Sequence, residues 1–320
     1  MPINSQEDLK IHYDIDFFNA TFPVVTIGTF DGVHLGHRKV ISRLNEIARE
    51  VGGESVIFTF YPHPRLVVSA NESNLRLLSS FTEKAELLEK AGVNHLVVFP
   101  FTIDFAEMSY EEFIREILIG KMNIHTLVVG HDHRLGKKRE GSYENILALQ
   151  KKLSFNVEKI DTFILDEVDI SSSKIRAAIQ NGDIDKANSF LGYNYSIQGI
   201  VAEGKKIGRG IGFPTANLIC GDTYKLIPVE GVYAVTVCFE DKKYKGMMNI
   251  GFRPTFKNNA DHRTIEVNIF DFDQDIYQKQ LTIFIHKRIR EERKFPNIYR
   301  LKDQLIEDKA EALKILAEVS

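Results

Sequence analysis

The sequence predicts an α/β fold in its first half, followed by an antiparallel barrel or sandwich and a C-terminal helix. From about Pro23 to Asn181, short apolar strands alternate with amphipathic helices, the pattern of a parallel sheet wrapped by helices. Beyond about Gly192 the helical period almost disappears, and strand-like runs are separated by Gly, Asn, Asp and Lys. We therefore expect two domains, residues 1–186 and residues 187–320.

Each half can be divided into expected elements. In the first half, strands are expected at residues 23–27, 55–60, 95–99, 126–130 and 157–165. Helix starts are marked by Ser80 with Glu83 and by Ser109 with Glu112, which have the capping-box spacing. In the second half, strands are expected at residues 195–201, 231–239, 244–250, 264–270 and 281–289. A final helix is expected to have Pro296 at its first position. Its apolar stripe, which should pack on the barrel, comprises Ile298, Leu301, Leu305, Leu313 and Leu316.

Composition limits the classes of partner. A net charge of -3 over 320 residues, with a pI near 6.4, gives no broad basic field, which argues against nucleic acid and against an anionic membrane surface. Cys220 and Cys238 form no cysteine framework, and the polar N-terminus resembles no signal peptide. We expect a cytoplasmic protein without a membrane span. The sequence leaves open whether its copies form a homo-oligomer.

The most informative segment is the strand-to-helix turn at residues 28–37, with the sequence GTFDGVHLGH. It places His34 and His37 at a helix N-terminus, where free backbone N–H groups and the helix dipole attract phosphate. Its glycines let the chain approach a ligand closely. This pattern predicts a nucleoside triphosphate site in which the imidazoles stabilise developing charge. A zinc site and an ordinary pair of polar loop residues are the alternatives.

Three further segments of the first half carry candidate ligand groups. The loop at residues 128–141 has four cations within six residues and differs from a Walker A loop, so it is either a triphosphate clamp or a solvated surface. Residues 170–176, ISSSKIR, offer three hydroxyls and two cations at a helix start, although one serine would suffice as an N-cap. Residues 60–64, FYPHP, form a stiff aromatic loop that can stack on a planar ligand.

The second half contains a glycine-dense segment and one notable carboxylate. Residues 204–217 do not fit the dinucleotide-binding pattern, and they predict either a phosphate-wrapping flap or a glycine-rich hairpin. The flap ends in Thr215 and Asn217, whose oxygens suit a magnesium–phosphate complex. Glu266 should point to the opposite face from Ile265 and Val267, either as a general base in a cleft or as a surface glutamate.

Together these motifs closely resemble the bacterial bifunctional riboflavin kinase and FAD synthetase (FMN adenylyltransferase) family. The matching segments, in the family's order, are residues 28–37, 61–64, 128–141, 170–176, 208–217, 231–235, 249–256 and 266–272. The resemblance implies a Rossmann-like HxGH nucleotidylyltransferase domain with a parallel sheet, followed by an antiparallel β-barrel kinase domain with a C-terminal helix. It implies that riboflavin is phosphorylated by ATP in the barrel and that FMN is adenylylated by a second ATP in the first domain, with release of pyrophosphate.

The resemblance also implies site residues. The catalytic residues would be His34, His37 and Glu266. ATP and phosphate in the adenylyltransferase would be bound by Gly28, Phe30, Asp31, Gly32, Asp132, Arg139, Ser171, Ser172, Ser173 and Arg176. Its flavin would be bound by Phe60, Pro62, His63 and Pro64. The kinase would bind its nucleotide and flavin through Gly208, Arg209, Gly212, Phe213, Pro214, Asn249, Arg253 and Arg290, and Mg²⁺ through Thr215 and Asn217. The expected ligands are ATP as co-substrate, riboflavin and FMN as substrates, and FMN and FAD as products.

Some positions depart from the family pattern. His133 and Leu135 stand where phenylalanines are usual, Ser173 replaces a common threonine, and Gln278 replaces a glycine.

Two rival functions are considered: a chain that retains only the adenylyltransferase activity, and a flavin-binding regulator without turnover. The intact His34 and Glu266 argue against a pure binding protein, which has little need for a base beside a magnesium site.

Overall fold

The computed structural model describes residues 8–68, 75–130, 134–160, 164–165, 168–204, 207–252 and 263–318. Contacts between residues divide the chain into two compact units, Met1–Ser172 and Ser173–Ser320. Among the helices described, none is both long and apolar enough to cross a membrane.

The first unit is built on a parallel sheet, as predicted. Its strands are β1 (Lys10–His12), β2 (Val24–Ile27), β3 (Ser55–Tyr61), β4 (His95–Pro100), β5 (Thr126–Gly130) and β6 (Asn156–Ile160). They lie in the order β1-β4-β3-β2-β5-β6, and all neighbours pair in parallel. The short edge strand β1 was not predicted. The strand expected over residues 157–165 is wrong in length, because β6 ends at Ile160 and a separate hairpin follows, made of β7 (Ile164–Leu165) and β8 (Val168–Asp169).

Helices cover both faces of this sheet. They are α1 (Leu35–Glu50), α2 (Pro64–Val68), α3 (Phe81–Lys90), α4 (Ile103–Ala106), α5 (Tyr110–Glu112), which continues as a π-helix over Phe113–Ile119, and α6 (Tyr143–Gln150). Both predicted capping boxes are present. Leu44 of α1 packs with Val24, whereas Ile114 of the π-helix packs with Val25, so successive strand residues serve opposite cores. Ligands of such sheets bind beyond the carboxyl ends of the strands.

The second unit is a closed barrel rather than a sandwich. After α7 (Ser172–Gln180) and α8 (Ile184–Leu191) come β9 (Ser196–Ala202), α9 (Ile207–Gly210), β10 (Ala216–Ile219), β11 (Gly231–Phe239), β12 (Lys242–Phe252), β13 (Arg263–Ile269), β14 (Gln280–Arg290) and α10 (Ile298–Ala317). The six strands close in the order β10-β13-β12-β11-β14-β9, and all described pairings are antiparallel.

The final helix packs on the outer face of the barrel, as the apolar stripe predicts. Ala312 and Leu316 of α10 share a buried cluster with Ala234 of β11, Met247 of β12 and Phe270. The predicted start of the helix is wrong by two residues. Asn297 caps the helix by accepting a hydrogen bond from the backbone N–H of Arg300, so Pro296 precedes the cap.

Candidate active sites

The turn after β2 is bent sharply by three residues with positive φ. These are Phe30 (φ 46°), Gly32 (φ 80°) and Val33 (φ 35°). Phe30 and Val33 are both buried, and burial holds them in this left-handed region, which side chains other than glycine rarely adopt. A Cβ atom at Gly28 would lie 3.0 Å from the Phe30 ring, so this position favours glycine. The turn therefore brings the N-terminus of α1 back to the end of β2.

Asp31 holds this turn in place. Its Oδ1 accepts hydrogen bonds from the backbone N–H groups of Leu78 at 2.8 Å and Ser79 at 3.2 Å. The N–H of Gly32 donates to Ser79 Oγ at 3.1 Å. Ser172 Oγ donates to the carbonyl of Asp31 at 3.1 Å. The Asp31 carboxylate therefore fixes the turn, and the Asp31 backbone carbonyl binds Ser172, one of the three predicted serines.

The two histidines stack at the N-terminus of α1. Their ring centroids are 3.7 Å apart with an interplanar angle of 17°. His34 caps the helix, because its Nδ1 accepts the backbone N–H of His37 at 3.3 Å. The neutral His34 ring therefore carries its proton on Nε2, which makes that atom a donor. A Cβ atom at Gly36 would lie 3.2 Å from the His34 ring, so the glycine makes room for it.

The environment of His37 favours an uncharged ring. Burial, with smaller contributions from His34 and Lys84, lowers the pKa of His37 well below its usual 6.5. The pKa of Lys84 is itself lowered by burial, and the charge of Asp31 partly opposes that shift. Sequence reasoning missed Lys84. Its only sequence signal is its place next to Glu83 in the capping box that starts α3.

Aromatic side chains surround the predicted flavin-binding loop. Phe60 contacts Phe101 and Phe105 with ring centroids 5.4 and 5.7 Å apart. The Tyr61–Pro62 peptide bond is cis, and Pro64 begins α2. His63 Nδ1 accepts the backbone N–H of Arg65 at 3.2 Å. Sequence analysis missed Phe101, which follows β4, and Phe105 of α4; their spacing of four residues was the available signal.

The remaining predicted groups of this domain divide between the two units. Asp132 and the side chain of Arg139 lie outside the described residues. Gly136 is described, and a Cβ atom there would lie 2.3 Å from the backbone N of Tyr110. Ser171 immediately precedes α7. Ser173 and Arg176 belong to the second unit, where Arg176 Nη1 lies 3.5 Å from Ser173 Oγ.

The barrel brings four predicted polar residues into one row across its wall. Asn217 of β10 pairs with Glu266 of β13, and Glu266 pairs with Asn249 of β12. Asn249 pairs with Val232 of β11, and Val232 pairs with Arg290 of β14. Residues directly opposite each other in antiparallel strands point to the same face. We call Asn217, Glu266, Asn249 and Arg290 the polar row.

A cavity of about 510 Å³ is lined by Ala216 and Val267, the strand neighbours of Asn217 and Glu266. Arg209, Pro214 and Thr215 line one part of it, and the segment 272–277 lines another. Gly208 is required by close packing, since a Cβ atom there would lie 2.1 Å from the carbonyl oxygen of Phe213. Gly212 has a φ of 85°, which favours glycine. Thr215 is thus the predicted metal-binding residue that reaches the cavity directly.

Two residues assigned to the kinase site have clear structural partners. Phe213 is buried in the cluster formed with α10. Arg290 makes two hydrogen bonds to the buried Asp308 of α10, from Nε at 2.8 Å and from Nη2 at 2.7 Å. Asp308 was not predicted, since nothing local in the helix distinguishes it from its exposed neighbours. Arg253 lies outside the described residues.

A histidine pair at a helix N-terminus on a parallel sheet, together with a polar row and cavity on a closed barrel, defines a two-domain transferase that uses nucleotides. Two family models, one for each domain, match this chain. The FAD synthetase model matches residues 19–174, and the riboflavin kinase model matches residues 191–316.

Relatives match nearly the whole chain. A bifunctional riboflavin kinase/FMN adenylyltransferase from Bacillus subtilis is 40% identical, covering 92% of this chain and 93% of its own length. The protein of that name from Listeria monocytogenes is 38% identical, covering 97% and 98%. A crystal structure of a Streptococcus pneumoniae protein named macrolide-efflux protein has a TM-score of 0.85 at 30% identity, covering 94% of this chain and 97% of that one. The chain belongs to the bifunctional riboflavin kinase/FMN adenylyltransferase family.

Proposed function

We propose that this enzyme makes FMN from riboflavin in the barrel and FAD from FMN in the first domain, each time with ATP. The observation that carries this proposal is the polar row. Strand register alone brings a carboxylate and two amides together, and Thr215, two residues before Asn217, lines a cavity of about 510 Å³. That volume lies in the range of small-molecule sites.

In the kinase reaction, Glu266 acts as general base. Its carboxylate takes the proton of the terminal ribityl hydroxyl as that oxygen attacks the γ-phosphorus, and the bond from that phosphorus to the ADP oxygen breaks. Arg209 on the cavity wall offers positive charge to the phosphates. Catalysis depends mainly on positioning and on stabilising charge, so the rigid wall of the barrel suits it.

The side-chain oxygens of Thr215 and Asn217 fit a magnesium ion. Thr215 offers a hydroxyl oxygen and Asn217 an amide oxygen, and Mg²⁺ prefers few protein oxygens together with substrate phosphates and water. When bound, the ion would neutralise charge on the nucleotide phosphates. Thr215 and Asn217 would hold it on the side of the row next to Glu266.

In the adenylyltransferase reaction, the FMN phosphate attacks the α-phosphorus of ATP and pyrophosphate leaves. The FMN phosphate is already an anion, so no strong base is needed. His34, whose Nδ1 accepts the backbone N–H of His37, donates from Nε2, and the His37 ring stacks on it as a second imidazole. Ser172, fastened to Asp31, and the aromatic wall of Phe60 would bind phosphate and flavin.

The cytosol suits both reactions because it supplies ATP. Cys220 and Cys238, both within the described residues, are free cysteines. The proposed partners of this enzyme are the small molecules riboflavin, FMN and ATP, without nucleic acid or membrane.

Product analysis tests the proposal. The full chain is incubated with riboflavin, ATP and Mg²⁺, and flavins are separated by chromatography. We expect FMN as an intermediate and FAD as the final product. FMN in the absence of FAD, or no product, would refute the two-step function; conversion of added FMN to FAD without use of riboflavin would indicate an adenylyltransferase alone. Unchanged riboflavin and FMN that remain tightly bound would indicate a binding regulator.

A further inference from the structure

Asn268 is buried on the same strand and the same face as Glu266, two residues further along β13. It is 6% exposed, and its Nδ2 donates to the carbonyl oxygen of Pro214 at 2.6 Å. A buried side-chain amide that donates to a loop carbonyl fixes that loop, because losing the bond would leave both groups unsatisfied. No role for Asn268 follows from the sequence motifs.

This bond continues the strand pairing beyond the point where the backbone ladder ends. β10 pairs with β13 through Asn217 opposite Glu266 and Ala216 opposite Val267. The next position on this register sets Thr215 opposite Asn268. At this position the backbone pairing is replaced by a side-chain hydrogen bond, from Asn268 to the carbonyl of Pro214, the residue before Thr215.

A second anchor lies on the other side of Pro214. Phe213 shares a buried apolar cluster with Phe270, which is two residues beyond Asn268 on the same face of the chain. The segment from Phe213 to Asn217 therefore runs antiparallel to the chain from Phe270 back to Glu266. It is fixed by an apolar contact, then by the amide of Asn268, then by the strand pair of Asn217 with Glu266. Thr215 is held between the last two.

We propose that Asn268 is a positioning residue that sets Thr215 relative to Glu266, and so places the nucleotide phosphates before the general base. This inference rests on the proposed kinase function. The requirement is for a donor: an aspartate at this position would have nearly the same shape but would set a negative oxygen against the Pro214 carbonyl. Asn268 touches neither substrate nor metal in this scheme and acts through Thr215.

The experiment compares Asn268→Asp and Asn268→Ala with a matched control, Asn188→Asp, in the full chain. Asn188 also donates to a backbone carbonyl of the barrel, that of Ile285 at 3.0 Å, but its hydrogen bonds go to β14 and to residues 194 and 195 rather than to the Pro214 segment. We expect both Asn268 variants to lose about tenfold in kcat/KM for MgATP, as one lost hydrogen bond predicts, with the KM for riboflavin changed less than about twofold. Raising Mg²⁺ should recover part of the rate in these variants but none in Glu266→Gln.

A binding measurement separates positioning from stability. MgADP binding is measured by calorimetry with riboflavin present, and the barrel site is the one whose binding is lost in Asn217→Ala. Its affinity for MgADP should fall about tenfold in the Asn268 variants and stay unchanged in Asn188→Asp. Asn268→Ala should also have little further effect in a Thr215→Ala background. Wild-type binding and kinetics in both Asn268 variants would overturn the inference, as would an equal loss in Asn188→Asp. Failure of the wild-type chain to phosphorylate riboflavin would instead refute the kinase function.

Discussion

Removing one partner of the ion pair between Arg290 and Asp308 should strongly destabilise the barrel unit, because it leaves the other charge buried and unpaired. Asp308 is 1% exposed and the Arg290 side chain 18% exposed, so both charges are largely removed from water. Asp308 also accepts a hydrogen bond from Gln304 at 2.9 Å. Replacing Asp308 by alanine would leave a mostly buried guanidinium without its carboxylate.

The size of the effect can be worked out from these contacts. Removing one partner of a buried pair costs about 3–5 kcal/mol. Arg290 keeps its bond to the carbonyl of Glu291 at 2.9 Å, which places Asp308→Ala near the lower limit, at about 3 kcal/mol. Asp308→Asn keeps one acceptor oxygen and should cost about 1.5 kcal/mol. The double variant Arg290→Met/Asp308→Leu removes both charges and should lie within about 1 kcal/mol of the native chain.

Urea unfolding at neutral pH measures these differences, with the transition followed by circular dichroism and kinase activity assayed separately. A cost below about 0.5 kcal/mol for Asp308→Ala would refute the reasoning, because an exposed pair behaves in that way. A double variant as unstable as Asp308→Ala would refute it too. The double variant also tests the predicted substrate role of Arg290: recovered stability without recovered kinase activity would mean that the guanidinium contacts nucleotide or flavin.

Four further predictions concern the two sites and the boundary between the two units. His34→Ala should lower FAD formation by about two to three orders of magnitude, since it removes a charge-stabilising donor, and should leave FMN formation intact; chromatography of both products checks this. Glu266→Gln should abolish most FMN formation and spare conversion of added FMN to FAD, and full kinase activity at neutral pH would contradict its role as base. Because the pKa of His37 is lower in the folded than in the unfolded chain, protons bind the unfolded chain first as pH falls below 6.5, so stability is lost there. His37→Gln should flatten that fall in the urea-derived free energy of unfolding, and an unchanged slope would contradict the lowered pKa of His37. A fragment of residues 173–320 should melt cooperatively and phosphorylate riboflavin, whereas one of residues 187–320 should be less stable by about 2 kcal/mol or more, since it loses the first turn of α8 with the buried Ile184.

Local patterns were sufficient to predict most of the strands and the longer helices, while the roles of the candidate site residues stay predictions. The apolar strand before residue 28 and the helical spacing after it predict a strand-turn-helix unit, and the structure has β2 and α1 there. The alternation around Glu266 predicts opposite faces for Glu266 and its neighbours, and Ile265 and Val267 are buried accordingly. Such signals depend on neighbours a few residues apart in sequence, which is why a single chain reveals them.

The missing parts all depend on contacts between distant segments. Asp308 pairs with Arg290 only because α10 lies on β14, and Asn268 reaches Pro214 only because the barrel closes through β10 and β13. Lys84 acts on His37 across the gap between α3 and α1. The polar row was visible as separate motifs, but its alignment follows from strand register, which the sequence pattern leaves open.

The boundary between the two domains also depends on contacts between distant segments. The sequence Asn181-Gly182-Asp183 indicates a stop, and the predicted division follows it closely, at residues 186 and 187. In the structure these residues form a tight turn between two helices: Gly182 has a φ of 79°, and Asp183 caps α8. α8 then binds the barrel, since Asn188 donates to Ile285 of β14 and accepts the backbone N–H of Tyr195. The riboflavin kinase model begins at residue 191, the last residue of α8, so nearly all of this helix lies outside the family match and yet inside the folded unit. A turn that ends one helix marks a domain boundary only when the next helix packs elsewhere, and that depends on burial at β14 rather than on the turn residues.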